Sequence, residues 1–208
     1  NVGYRNLLRI VSRGHTQPVS EAAPSITLDT IAENNEGVIV LTGCMGGLLA
    51  QQVLEHGRAA GQQMLERLMQ VTRPGNLYVE LQDFGMVEQP VLNGLLVELA
   101  RAAAIPLVAS NDCHFLGASD GEAQLYLSCI ATGRAYADVL AGHHGSYEMY
   151  LKEPEAMRHL FRDLPEAADN TLAIAERCQA LSLTLGKPML PNFEVPEGYD
   201  TASYLRHV

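Results

Sequence analysis

The sequence predicts an α/β chain in which parallel β/α units are followed by an all-helical tail. Up to about residue 116, short apolar runs rich in β-branched residues alternate with amphipathic helical stretches, and glycine or proline punctuates the joints. Beyond about residue 120 only helical periodicity remains. Strands separated by helices of this length pair in parallel through crossover connections.

The elements follow in order. Residues 4–13 place Leu7, Leu8 and Val11 on one helical face, and a short helix after Ser25 carries Leu28, Ile31 and Ala32 at helical spacing. The apolar run 37–42 reads as a strand buried on both faces, ending in the turn Gly43-Cys44-Met45-Gly46-Gly47. Helices are expected over 48–56 and 58–72, the second with Ala60, Met64, Leu65, Leu68 and Val71 as its stripe, and Arg73-Pro74-Gly75 stops it. Residues 77–81 form the next strand. Pro90 opens a helix lined by Leu92, Leu95, Leu96, Leu99 and Ala103, and residues 106–110 form the third strand. Helices are then expected over 121–132, 153–162 and from Pro165 to about Cys178, with an extended stretch through Gly186–Pro188 and Pro191–Pro196 before a last helix beginning at Tyr204. Three strands are too few to close a barrel, so further strands are expected upstream of Asn1, and the chain reads as part of a larger fold.

Composition narrows the function classes. Hydrophobic residues make up 47% and charged residues 18%, a globular balance. No apolar run approaches the roughly 20 residues of a bilayer span, and no secretory signal opens the chain. The formal charge is −10, from 24 acidic and 14 basic residues, so this surface is a poor candidate for a main DNA-binding groove, which gains affinity from Lys and Arg on phosphates. A small metal-centred nucleotide site remains compatible with that charge, because the metal supplies the positive end. Four cysteines without a CxxC pair point to reduced thiols in a cytoplasmic protein.

In parallel β/α proteins, reactive groups gather where the strands end. The three strand ends here deliver Cys44, then Glu80 and Gln82, then Asp112 and His114. In an extended segment residues two apart point the same way, so Asp112 and His114 are placed to grip one cation, and Cys44 completes a sulfur, oxygen and nitrogen set suited to Zn²⁺, with Mn or Fe as alternatives. The same pattern also admits a plainer reading, with Asp112 capping the next helix, His114 packed and Cys44 filling the core as a small hydrophobe. Glu80 and Gln82 read either as groups that orient ligands or as an ordinary polar strand end. Cys113, Cys129 and Cys178 are expected in the core, and His143-His144 in an exposed glycine-rich loop.

Six ordered strings then carry a resemblance: GYRNLLRIVS (3–12), EGVIVLTGCMGG (36–47), LYVELQDFGMVEQ (77–89), PLVASNDCHFL (106–116), SYEMYLKEPEAM (146–157) and LFRDLPEAADNTLAIAERC (160–178). In order and spacing they resemble successive motifs of the bacterial DNA polymerase III alpha subunit family, from the C-terminal portion of its PHP (polymerase-and-histidinol-phosphatase) domain. The resemblance implies part of a distorted (β/α)7, TIM-like PHP barrel over 1–182, and an extended linker with a first helix leading to the polymerase palm over 183–208.

The resemblance further implies a divalent metal cluster at the barrel mouth. By position, the family's Ser-Gly-Cys motif falls on Cys44, with Thr42 in place of the serine, and its Asn-Asp-x-His motif falls on Asp112 and His114. Other family ligands, including a His-x-His motif, precede the matching region and are absent here. Gln124 stands where many relatives have His. The implied parent is a DNA-directed DNA polymerase, a nucleotidyltransferase of bacterial replication. Its own Mg site lies downstream of Val208, and its PHP domain is implied to act as a metal-dependent 3′→5′ exonuclease. The alternative is a catalytically silent scaffold that supports the polymerase and docks a proofreading subunit. Implied partners are the rest of the alpha subunit, DNA through other domains, a proofreading exonuclease subunit and the sliding clamp, with no membrane. The isolated chain is expected to be inactive.

Overall fold

A computed structural model of the chain describes residues 1–20, 23–141, 147–183, 186 and 193–208. The expected loop at His143-His144 and most of the 186–196 lead-out lie outside them. Helices α1 (Val2–Thr16) and α2 (Leu28–Glu33) precede strand β1 (Val40–Leu41). Helix α3 (Leu48–Val71), β2 (Leu77–Gln82), α4 (Gln89–Ala102) and β3 (Leu107–Ser110) follow. A 3-10 turn at Ala118–Asp120 leads into α5 (Gly121–Thr132), α6 (Tyr136–Ala141), α7 (Pro154–Leu160), α8 (Pro165–Cys178) and α9 (Thr201–His207).

The three strands form one parallel sheet in the order β1-β2-β3. β2 is the central strand because Val79 to Gln82 pair with Leu107 to Ser110 on one side, while Leu77 and Tyr78 pair with Val40 and Leu41 on the other. Side chains alternate between faces along a strand, and Leu77, Tyr78, Val79, Leu81 and Gln82 are all buried, so both faces of β2 are covered. The main core joins Leu77, Val79, Leu81, Leu107 and Ala109 of the sheet to Leu49, Leu65 and Leu68 of α3 and to Leu92, Leu96 and Leu99 of α4, with Phe161 and Ala167 contributed from the tail.

Several expectations needed revision. β1 is two residues long rather than six, and Leu41 is exposed, because an edge strand has one pairing side and here touches only the start of β2. Leu7, Leu8 and Val11 of α1 are about half exposed, whereas Asn6, Ile10 and Gly14 face inward. The docking side of α1 is set by specific bonds: the Asn6 amide donates to the Glu36 carbonyl at 2.9 Å, and Arg13 pairs with Glu33 on α2. Helix α6 is additional to the expected elements, α7 is shorter than the expected 153–162, and α9 starts at Thr201 because Asp200 caps it.

The break expected between 56 and 58 is present within α3. Gly57 adopts φ 80° and ψ −177°, a conformation essentially reserved for glycine. This kink lets the first part of the helix bury Leu49, Ala50 and Val53 while the second buries Gly61, Met64, Leu65 and Leu68.

Helix α8 is the brace of the tail. The Asn170 amide donates to the Leu107 carbonyl at 2.7 Å. At its far end the Arg177 guanidinium donates to the Gly75 carbonyl at 2.9 Å and to the Tyr78 hydroxyl at 3.0 Å, and it also bonds Asn76. One side chain thereby pins the turn that feeds β2.

Three outcomes follow. Gly57→Ala should lower stability by about 1–3 kcal/mol in denaturant unfolding, from backbone strain alone, since an added Cβ there would meet no atom of the described residues within 4 Å. Arg177→Ala should cost about 1–3 kcal/mol in the same measurement, because it strands acceptors at the entry of the central strand. At α9, the Ser203 backbone N–H donates to the Asp200 carboxylate and holds its pKa below the usual value. The cap's contribution is therefore complete above the unfolded-state value of about 4 and is lost as pH falls through the lower folded value. Amide protection factors across 201–207, taken against the intrinsic exchange rate at each pH, should fall only in that acid range.

Candidate metal centre at the strand ends

The C-terminal ends of the three strands are tied together by one carboxylate. Glu80 and Gln82 lie two apart on β2 and so share a face. The Glu80 carboxylate accepts the Gly43 N–H at 3.1 Å, from the turn after β1. Its other oxygen accepts the Ser110 hydroxyl at the end of β3 and the Gln82 amide at 3.2 Å. Gln82 also donates to the Ser110 hydroxyl at 3.0 Å, and the Thr42 hydroxyl accepts the Glu80 N–H at 3.0 Å.

Cys44 follows Gly43 directly and is half-buried. Its turn is closed by the Gly47 N–H bonding the Cys44 carbonyl at 2.8 Å. Only glycine fits at position 47, because a Cβ there would sit 2.4 Å from the Thr42 carbonyl oxygen.

Past β3, the chain does not continue extended as the sequence suggested. Asp112 takes a left-handed φ of 46°, which Asp tolerates better than most side chains, and the alternation premise for Asp112 and His114 fails at that residue. Asp112 is half-buried and His114 is exposed. The segment is instead clamped from outside: the Asn111 amide donates to the carbonyls of Glu148 and Tyr150, both at 2.7 Å. The His114 N–H donates to the Met149 carbonyl at 2.8 Å, and the Leu151 N–H to the Phe115 carbonyl at 3.1 Å. Residues 148–151 thus add a short parallel bridge beside 111–115.

Cys44 and His114 line different cavities. Cys44 borders a small one with Glu80, Gln82 and Gln89. His114 borders a cavity of about 250 Å³ with Phe115, Gln124, Ser128 and Tyr147. Among the described residues, no three His, Cys, Asp or Glu side chains form a group that could hold a metal ion. The thiol, carboxylate and imidazole types suit Zn²⁺, but these side chains do not close a site by themselves.

Three sequence expectations for the other cysteines change. Cys113 is exposed, with its sulfur 3.5 Å from the Tyr150 carbonyl, because the turn at Asp112 swings it outward. Cys178 is exposed at the end of α8, and Cys129 on α5 is half-buried rather than in the core. The residues that sequence reasoning missed are Ser110 and Asn111, the polar pair between β3 and Asp112, and Gln89. Gln89 is 1% exposed, and its carbonyl accepts the N–H groups of Phe84 and Met86, both at 3.0 Å. The Asn-Asp string held a hint of Asn111's role, since buried Asn at a strand end usually serves backbone groups.

Residues 1–84 match the family model described as PHP domain. Across nearly its whole length, the chain is similar to alpha subunits of DNA polymerase III. It is 37% identical over 205 residues to that of Pseudomonas aeruginosa, covering 99% of this chain and 17% of that protein. It is 34% identical over 209 residues to that of Borreliella burgdorferi, covering 100% of this chain and 18% of that protein. An error-prone DNA polymerase of Symbiobacterium thermophilum is 31% identical over 221 residues, with 99% and 20% covered. The chain therefore spans less than a fifth of the length of the two alpha subunits.

Replacing Glu80 by Ala should destabilise the domain by about 1.5–3 kcal/mol, the range for hydrogen bonds to a charged acceptor. It should also raise the labelling rate of Cys44 by a thiol reagent, read by peptide mass spectrometry, while Cys178 labels unchanged.

Proposed function

We propose that this chain is a segment of a bacterial replicative DNA polymerase alpha subunit, whose PHP domain holds a divalent metal cluster and hydrolyses DNA from the 3′ end. The supporting observation is the crosslink through Glu80, which ties the Cys44 turn to the strand that delivers Asp112 and His114. In this reading residues 1–182 belong to a (β/α)7 barrel and 183–208 lead toward the polymerase palm. Cys44, Asp112 and His114 are metal ligands, completed by donors outside these 208 residues, and Glu80 and Gln82 orient them. A divalent metal, Zn²⁺ by the donor chemistry and Mn or Fe otherwise, supplies an activated water and charge stabilisation at a phosphodiester. The polymerase reaction, with its Mg, belongs to other parts of the parent. DNA reaches the protein through those parts too, in keeping with the net charge of −10 here. The setting is the bacterial cytoplasm. Among the described residues no helix is long and apolar enough to cross a membrane.

A second reading is favoured by one observation: Cys44 and His114 line separate cavities, and His114 is exposed. In that reading the region is a scaffold that supports the polymerase and docks a proofreading exonuclease subunit or the sliding clamp.

Metal analysis and a primer-degradation assay on the full-length parent separate the two. The nuclease reading expects bound metal, and Cys44→Ser or His114→Ala to lower both metal content and exonuclease rate at least about tenfold, polymerisation being retained. A parent without bound metal or exonuclease activity would establish the scaffold, and unchanged metal and rate in both variants would remove Cys44 and His114 from the site.

A further inference from the structure

We infer that a single water molecule is bound beneath the Cys44 turn, held between the side-chain amides of Gln82 and Gln89. The inference does not depend on the metal reading. Both residues are more than nine-tenths buried, at 7% and 1% exposure. Among the described residues, each has one polar atom without a partner, the Gln82 Oε1 and the Gln89 Nε2. Both residues border the same cavity, of about 10 Å³, together with Gly43, Cys44, Ala50 and Leu96.

The orientation of each amide is pinned by two hydrogen bonds at its other end. Gln82 donates from Nε2 to Glu80 and to Ser110, and turning it over would lose both. Gln89 accepts at Oε1 from the N–H groups of Phe84 and Met86, and turning it over would set donor against donor twice. One committed acceptor and one committed donor are therefore left over. A cation at this position would be repelled by the Gln89 N–H group, and an anion by Gln82 Oε1 and the neighbouring Glu80 carboxylate. Water accepts from one amide and donates to the other.

Size agrees with chemistry. A cavity holds one water from roughly 10–15 Å³ upward, and buried waters characteristically sit on polar atoms that the chain leaves unpaired. Leaving both amide atoms unsatisfied is disfavoured, since buried polar groups are nearly always hydrogen-bonded. The water's place is also structural. Gln82 extends from the Glu80 crosslink and Gln89 holds the loop after β2, so the bridge links that loop to the floor of the Cys44 turn.

A high-resolution crystal structure of the full-length parent tests this. The expected result is one density peak within hydrogen-bonding distance of both Gln82 Oε1 and Gln89 Nε2. A direct bond between the two amides, or from Gln89 to the Cys44 sulfur with no peak between, would overturn it, as would a peak with the short contacts of a metal ion. The Ala50→Ser variant provides a second reading, because Ala50 borders the cavity and carries no polar function. Its hydroxyl should displace the peak and take over at least one of its bonds.

Discussion

The Glu80 carboxylate is the interaction on which the site region depends. A parallel sheet aligns its strand ends by backbone pairing, but pairing stops where the loops begin, and loops diverge unless something holds them. Here one side chain on the central strand reaches the first loop through the Gly43 amide and the third strand through the Ser110 hydroxyl. A half-buried carboxylate is a strong acceptor with room for several donors, and it has three here. Gln82 extends the same network toward the loop after β2, with Gln89 on the other side of the cavity that both border. A central strand is the one position from which a single group can reach both neighbours.

A second constraint acts from the tail. The helices beyond residue 120 do more than follow the β/α units. Asn111 binds two carbonyls of the 148–150 segment, Asn170 reaches the β3 backbone, and Arg177 pins the turn before β2. The string around residue 150 therefore packs beside the string carrying Asp112 and His114, which explains physically why two motifs nearly 40 residues apart behave as one unit. It also sets Asp112 into its left-handed turn and directs Cys113 outward.

Most of the fold was legible in the sequence because it rests on local patterns. The periodicity of α3, α4, α5 and α8, the proline starts of α4 and α8, and the β-branched runs of β2 and β3 all act over a few residues. The interruption at Gly57 was legible too, from its place between two helical stretches. Where reading failed, the deciding fact was non-local. The stripe of Leu7, Leu8 and Val11 is sound as helical periodicity, yet Asn6 and Arg13 chose the other side of α1 for docking. The run 37–42 has strand composition, yet an edge position leaves most of it without pairing.

The candidate site divides the same way. Local pattern was enough to show which chemical groups stand at the ends of the strands, Cys44, Glu80, Gln82, Asp112 and His114, because strand ends follow from periodicity and their residues can simply be read. How those groups relate came from long-range packing. It made Glu80 the shared acceptor of three strand ends, set Cys44 and His114 on separate cavities, and faced Gln82 and Gln89 into one. Those relations depend on strand order, on the turn at Asp112 and on the clamp from the tail, all contacts between residues far apart in the chain.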